Sequence, residues 1–141
     1  MVRHLHHHLK QNFMSQKATR IIGWTLTILL GLLFTMSALM KLTQNETAMA
    51  QASSMGMDAA TFQIIGIIEI SSLILFIFPR TGIVGTLLLV AYLGGAIVTH
   101  LQHQQPIIMA VIIQTLLWIT AFVRFPELKQ RLFSTKKLQQ V

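Results

Sequence analysis

The chain has 141 residues with eleven basic and four acidic side chains, so 11 % is charged, 53 % is hydrophobic and the formal net charge is +7. A soluble domain carries about 25 % charged residues, so this composition excludes an ordinary soluble enzyme domain, a coiled coil and a disordered tail. Cysteine is absent, which excludes disulfide frameworks, thiol redox motifs, iron–sulfur ligation and covalent haem attachment.

Residues 1–20 form a basic, His-rich head. His4, His6, His7 and His8 cluster there. A His cluster without defined geometry reads as a solvated, unstructured segment before it reads as a metal site. Four apolar stretches follow, Ile21–Met40, Phe62–Phe78, Gly82–Val98 and Ile107–Val123, and they hold one charged residue, Glu69. At about 1.5 Å per residue, 17 to 20 helical residues cover about 25–30 Å, enough for a hydrocarbon core. The expectation is an all-α integral membrane protein: a four-helix bundle over residues 21–123, followed by a basic tail over 124–141.

The first stretch is longer than a signal-peptide core of about 7–15 residues. The small-residue run Ala48-Met49-Ala50 also lies well beyond Met40. The stretch is therefore expected to stay as a span. Orientation follows from the flanking cations. Arg3, Lys10, Lys17 and Arg20 precede helix 1, Arg80 follows helix 2, and Arg124, Lys129, Arg131, Lys136 and Lys137 follow helix 4; Lys41 stands alone on the other side. Both termini are expected in the cytoplasm of a multi-pass protein of the bacterial inner membrane. The net charge thus reads as membrane orientation, with no nucleic-acid partner.

The loop Lys41–Thr61 is long for a compact bundle. Thr43-Gln44-Asn45-Glu46 fits a capping box, Gly56 can end a helix and Asp58 can cap the next. A short surface helix covering the outer end of the bundle is expected between them. Phe78-Pro79-Arg80-Thr81-Gly82 forms a tight turn, because Pro79 restricts Phe78 and cannot extend the helix. Arg80 is expected to anchor that turn to headgroups. Ala91, Gly95 and Thr99 recur at a four-residue interval, a stripe expected to seat another helix.

An ionisable group inside a membrane span is by default a functional candidate. Glu69 and Gln114 each lie seven residues from the outer end of their own span, and Tyr92 lies seven from Thr99 near the outer end of its span, so all three sit about 10 Å below the outer boundary. Ser37 lies about a turn below the end of helix 1, while Lys41 and His100 stand at the rim. Lys41 is the nearest counter-ion for Glu69, and Ser37, Tyr92 or Gln114 can satisfy its remaining lone pairs. The polar set Ser37, Lys41, Glu69, Tyr92, His100 and Gln114 is either a network that fixes helix register or an outward-facing pocket for a small apolar ligand such as a quinone or lipid. His100 and His103 share a helix face but lack a clear third ligand, so no metal site is assigned. No catalytic set and no Gly-rich phosphate loop is visible.

Lys41-Leu42, Gly66-Ile67-Ile68-Glu69, Pro79-Arg80-Thr81 and the run from Ala91 to His100 resemble the DoxX-like family of small four-helix membrane proteins, over about Ile21 to Leu128. The resemblance implies Lys41, Glu69, Arg80, Tyr92 and His100 as family positions. It also implies an accessory or assembly subunit of a membrane oxidoreductase or stress-response complex without its own redox centre. Quinone enters as a possible ligand, and catalysis by the chain alone is not expected.

Overall fold

The structure, a computed structural model, describes residues 2–133. The tail beyond Phe133, with Lys136 and Lys137, and the side chains of residues 1–14, with His4, His6, His7 and His8, lie outside the described residues. Six helices follow in order: α1 (Val2–Leu42), α2 (Glu46–Ser54), α3 (Ala59–Ile77), α4 (Gly82–Gln102), α5 (Ile108–Arg124) and α6 (Pro126–Phe133). No strand occurs among the described residues. Where the sequence suggested an unstructured head, the backbone is helical from Val2. It continues the hydrogen-bond ladder of the apolar segment, and propagating a helix is far easier than nucleating one.

Among the described residues three helices are long and apolar enough to cross a membrane, or four if α5 and α6, bent by 100° to each other, count as one span. α5 has 17 residues, about 25 Å of helix. α1 packs on α3 and α5, and α4 packs on the same two helices. The four therefore close a ring, with α2 across one end and α6 at the other.

The distribution of side chains inverts that of a soluble protein. Ile21, Leu32, Met36, Ile64, Val84 and Ile108 are exposed, whereas Thr27, Glu69, Ser72, Thr86 and Thr120 are buried. The Thr27, Ser72, Thr86 and Thr120 hydroxyls each donate to the carbonyl four residues earlier, at 2.7–2.8 Å. A helix that satisfies its polar groups internally can sit in hydrocarbon.

The core fills the middle of the ring and the end away from α2. Leu30, Phe34, Leu73, Phe76, Leu89, Leu93 and Leu117 are buried there. Phe125 closes it edge-on to Phe76, with ring centroids 6.1 Å apart. α4 comes closest to α3 at Gly85, where a β-carbon would collide with the Leu75–Phe76 backbone. The Ala91–Gly95 stripe does not seat a helix of this chain. Both residues are exposed, and a β-carbon on Gly95 would meet nothing within 4 Å. Adjacent residues on a helix diverge by about 100°, and α4 turns Leu89 and Leu93 inward instead.

The connections follow their local chemistry, with one correction. The Thr43 capping box does not form. The Thr43 hydroxyl donates back to the Leu39 carbonyl at 2.8 Å, which prolongs α1. Asn45 takes over as cap, accepting from the Thr47 N–H at 3.0 Å. Just past the end of α2 stands Gly56, whose φ of +65° suits glycine. Asp58 accepts the Thr61 N–H at 2.7 Å and opens α3; that bond holds its carboxyl below the usual range.

Candidate functional site

Glu69 lies on the buried face of α3 that also carries Phe62, Gly66, Leu73 and Phe76. Gly66 sits one turn before it. A β-carbon at Gly66 would stand 3.0 Å from the Lys41 β-carbon and 3.3 Å from the Ala38 carbonyl oxygen. Glycine at this position thus lets α1 lie against α3, and the Lys41 stem reaches along the groove to the carboxylate. The ammonium meets Glu69 Oε2 at 2.8 Å, and the side chains are 11 % and 1 % exposed.

Lys41 also donates to Ser37 Oγ at 2.5 Å, one turn back on α1. The rings of Phe62 and Tyr92 lie 5.6 and 5.9 Å from the ammonium, the outer range of a cation–π contact. Tyr92 packs edge-on to Phe34, with ring centroids 6.3 Å apart, and lies beside Glu69 and Ser37. One cation and one anion are therefore paired inside a shell of rings and hydroxyls, where an unpaired charge would be costly.

The pair forms one wall of a cavity of about 370 Å³. α1, α3, α4 and α5 surround it, and Gln51 of α2 and Met55 just after that helix reach over its end. Ser37, Lys41, Glu69, Tyr92 and His100 all line it, together with Leu33, Ile65, Ala96 and Ile113. Small-molecule sites have this character: mostly apolar, with a few converging polar groups, and about 300–1,000 Å³ in size. His100 Nδ1 lies 2.7 Å from the Ala96 carbonyl oxygen, which ties the ring to its own helix. His103 makes the equivalent bond to Thr99 at 2.9 Å. No group of three metal-ligating side chains occurs among the described residues.

Gln114 is not part of this cavity. It lies in a separate cleft with Ile97, Val111, Thr115 and Trp118, and its buried carbonyl oxygen has no donor. The depth argument placed it level with Glu69, but α5 presents Met109, Ala110 and Ile113 to the cavity instead. An unsatisfied buried acceptor costs about 1–3 kcal/mol. Gln114→Leu is expected to raise stability in detergent by about 1 kcal/mol. A lowered unfolding midpoint would show that the amide has a partner.

Arg80 is exposed in the turn between α3 and α4. The cation that organises that end is Arg124, which the sequence marked only as a flanking charge. It donates to the Phe76 carbonyl at 3.0 Å and also to the Ile77 carbonyl, satisfying open acceptors at the C-terminus of α3. Its guanidinium lies 4.9 Å from the Trp24 ring and 5.2 Å from those of Phe76 and Phe125. A basic residue closing the last span directly before Phe125-Pro126 was the available signal.

No curated protein and no solved structure matches the chain. A family model does, over residues 25–123, a segment that contains the Lys41–Glu69 pair and the cavity positions on α1, α3, α4 and α5. By that match, which covers most of its length, this chain belongs to the DoxX-like family.

Proposed function

We propose that this chain is a multi-pass protein of the bacterial cytoplasmic membrane that binds a small amphipathic ligand, such as a quinone or a lipid, in the chamber around Glu69. The single observation that carries this reading is the coincidence of a buried Lys41–Glu69 pair with a partly open, mostly apolar cavity. A network serving only to fix helix register needs no room beside it. α1, α3, α4 and α5 are taken as a four-helix transmembrane bundle with both termini in the cytoplasm, because the cations concentrate on that side. The chamber then opens toward the outer leaflet, beneath α2.

The pair carries no net charge, which suits a neutral ligand. Such a ligand would place a polar head at Glu69, Tyr92 and His100 and its apolar body against Leu33, Ile65 and Ile113. The test is native mass spectrometry of the protein extracted gently from its own membrane. A stoichiometric small molecule is expected with the natural protein and is expected to be lost in Glu69→Gln. Ala96→Leu keeps the ion pair and fills the chamber, so it should also shed the molecule. Retention in both variants would refute the chamber. An empty chamber beside a stoichiometric protein partner would instead support an accessory subunit of a membrane oxidoreductase or stress-response complex.

A further inference from the structure

The structure has a second recess at the opposite end of the ring, outside the chamber. A groove of about 460 Å³ opens between the first part of α1 and the end of α5. Arg20, Ser15, Gln16 and Trp24 line it from α1, and Arg124 and Phe125 from the other side. All six lie outside the segment that the family model matches.

Among the described residues no carboxylate lines the groove. The whole chain has four acidic residues. Glu46, Asp58 and Glu69 belong to the α2 end, and Glu127 does not line the groove. The one ion pair among the described residues is Lys41–Glu69. Arg124 spends two N–H donors on the Phe76 and Ile77 carbonyls; a guanidinium has five. The groove also lies where the apolar run of α1 begins, just before the exposed Ile21 and Ile22. An indole beside arginines at that level marks a membrane–water interface.

We propose that this groove holds the phosphodiester headgroup of an anionic glycerophospholipid. The Arg20 and Arg124 guanidinia face the phosphate, the Ser15 hydroxyl and Gln16 amide add donors, and the acyl chains run along the exposed Ile21 and Ile22. Basic pockets between spanning helices bind anionic headgroups in this way, and arginine suits phosphate because its planar fork donates two parallel bonds. The inference rests on the helices spanning a membrane and is independent of what the chamber binds.

The test uses the full chain in detergent, titrated with dioleoyl phosphatidylglycerol and followed by native mass spectrometry. Arg124 variants are avoided, because that residue also closes α3. Arg20→Gln is expected to weaken retention of the lipid about five-fold, the effect of one surface cation. Gln16→Leu should weaken it by a smaller factor. Arg80→Gln removes the same charge outside the groove and should leave retention unchanged. Dioleoyl phosphatidylcholine should bind more weakly, and millimolar inorganic phosphate should not displace the phosphatidylglycerol. Equal losses in Arg20→Gln and Arg80→Gln would overturn the site, as would equal binding of the two lipids. Displacement by phosphate alone would overturn the lipid as occupant and leave a free anion in its place.

Discussion

Replacing Lys41 by methionine is expected to destabilise the protein by about 3–5 kcal/mol, the cost of removing one partner of a buried ion pair. Glu69 is 1 % exposed and Lys41 supplies its only ion-pair contact among the described residues. Methionine nearly matches the lysine stem, so packing against Gly66 survives and the loss is electrostatic. The stranded carboxylate must either stay charged without a counter-ion or take up a proton, and both routes cost free energy in an apolar site. The double variant Lys41→Met with Glu69→Gln should therefore recover most of the loss, because a neutral amide needs hydrogen bonds and no counter-charge. Unfolding midpoints of the natural protein, both single variants and the double variant form the cycle. If the double variant is no more stable than Lys41→Met, the pair is not what makes the single change costly. Should the double variant fold yet hold no small molecule, stability and binding would be separated at this site.

Gly85→Ala is expected to cost about 1–3 kcal/mol or more, the range for overpacking a well-packed interior. The added methyl would land on the Leu75–Phe76 backbone of α3. A flexible side-chain tip could swing away, but a helical backbone cannot. α3 and α4 must then separate along their shared face, which also loosens Leu73, Phe76 and Leu89. Gly94→Ala and Gly95→Ala serve as controls on the same helix. A β-carbon at either meets nothing within 4 Å, so these changes should be neutral or slightly stabilising, since alanine favours helix over glycine by about 0.5–1 kcal/mol. Thermal unfolding of the three variants in one detergent checks the contrast. Equal effects at positions 85, 94 and 95 would show that helix propensity, not close approach, governs this helix.

Much of the site could be read along the chain, because depth in a helix depends on counting alone. Seven residues are about 10 Å wherever they occur, which brought Glu69 and Tyr92 to one level. Lys41 lies within a side chain's reach of that level, and in the structure its ammonium is 2.8 Å from Glu69. Azimuth is another matter. Gln114 has the same depth and the wrong side: it faces Ile97 and Trp118, while Ile113, its neighbour in sequence, lines the chamber. A step of one residue turns a side chain by about 100°, and in an almost uniformly apolar helix no amphipathic stripe marks which side is inward. The same ambiguity misassigned the stripe of Ala91, Gly95 and Thr99: Ala91 is exposed, and Gly95 and Thr99 border the chamber instead of seating a helix.

Composition and order by themselves determined that the chain is helical, apolar and membrane-like, where its turns fall and which end holds its one carboxylate within an apolar run. Those properties follow from residue type, from Pro79 and Gly56, and from the scarcity of charge within the apolar runs. Tertiary structure alone decided which helices touch, that Gly66 admits α1 so that Lys41 reaches Glu69, that a chamber remains beside the pair, and that Arg124 closes α3 instead of merely flanking α5. Each depends on the rotation of one helix against another. That rotation is set by side-chain packing between residues far apart in the chain, a relation no local pattern encodes.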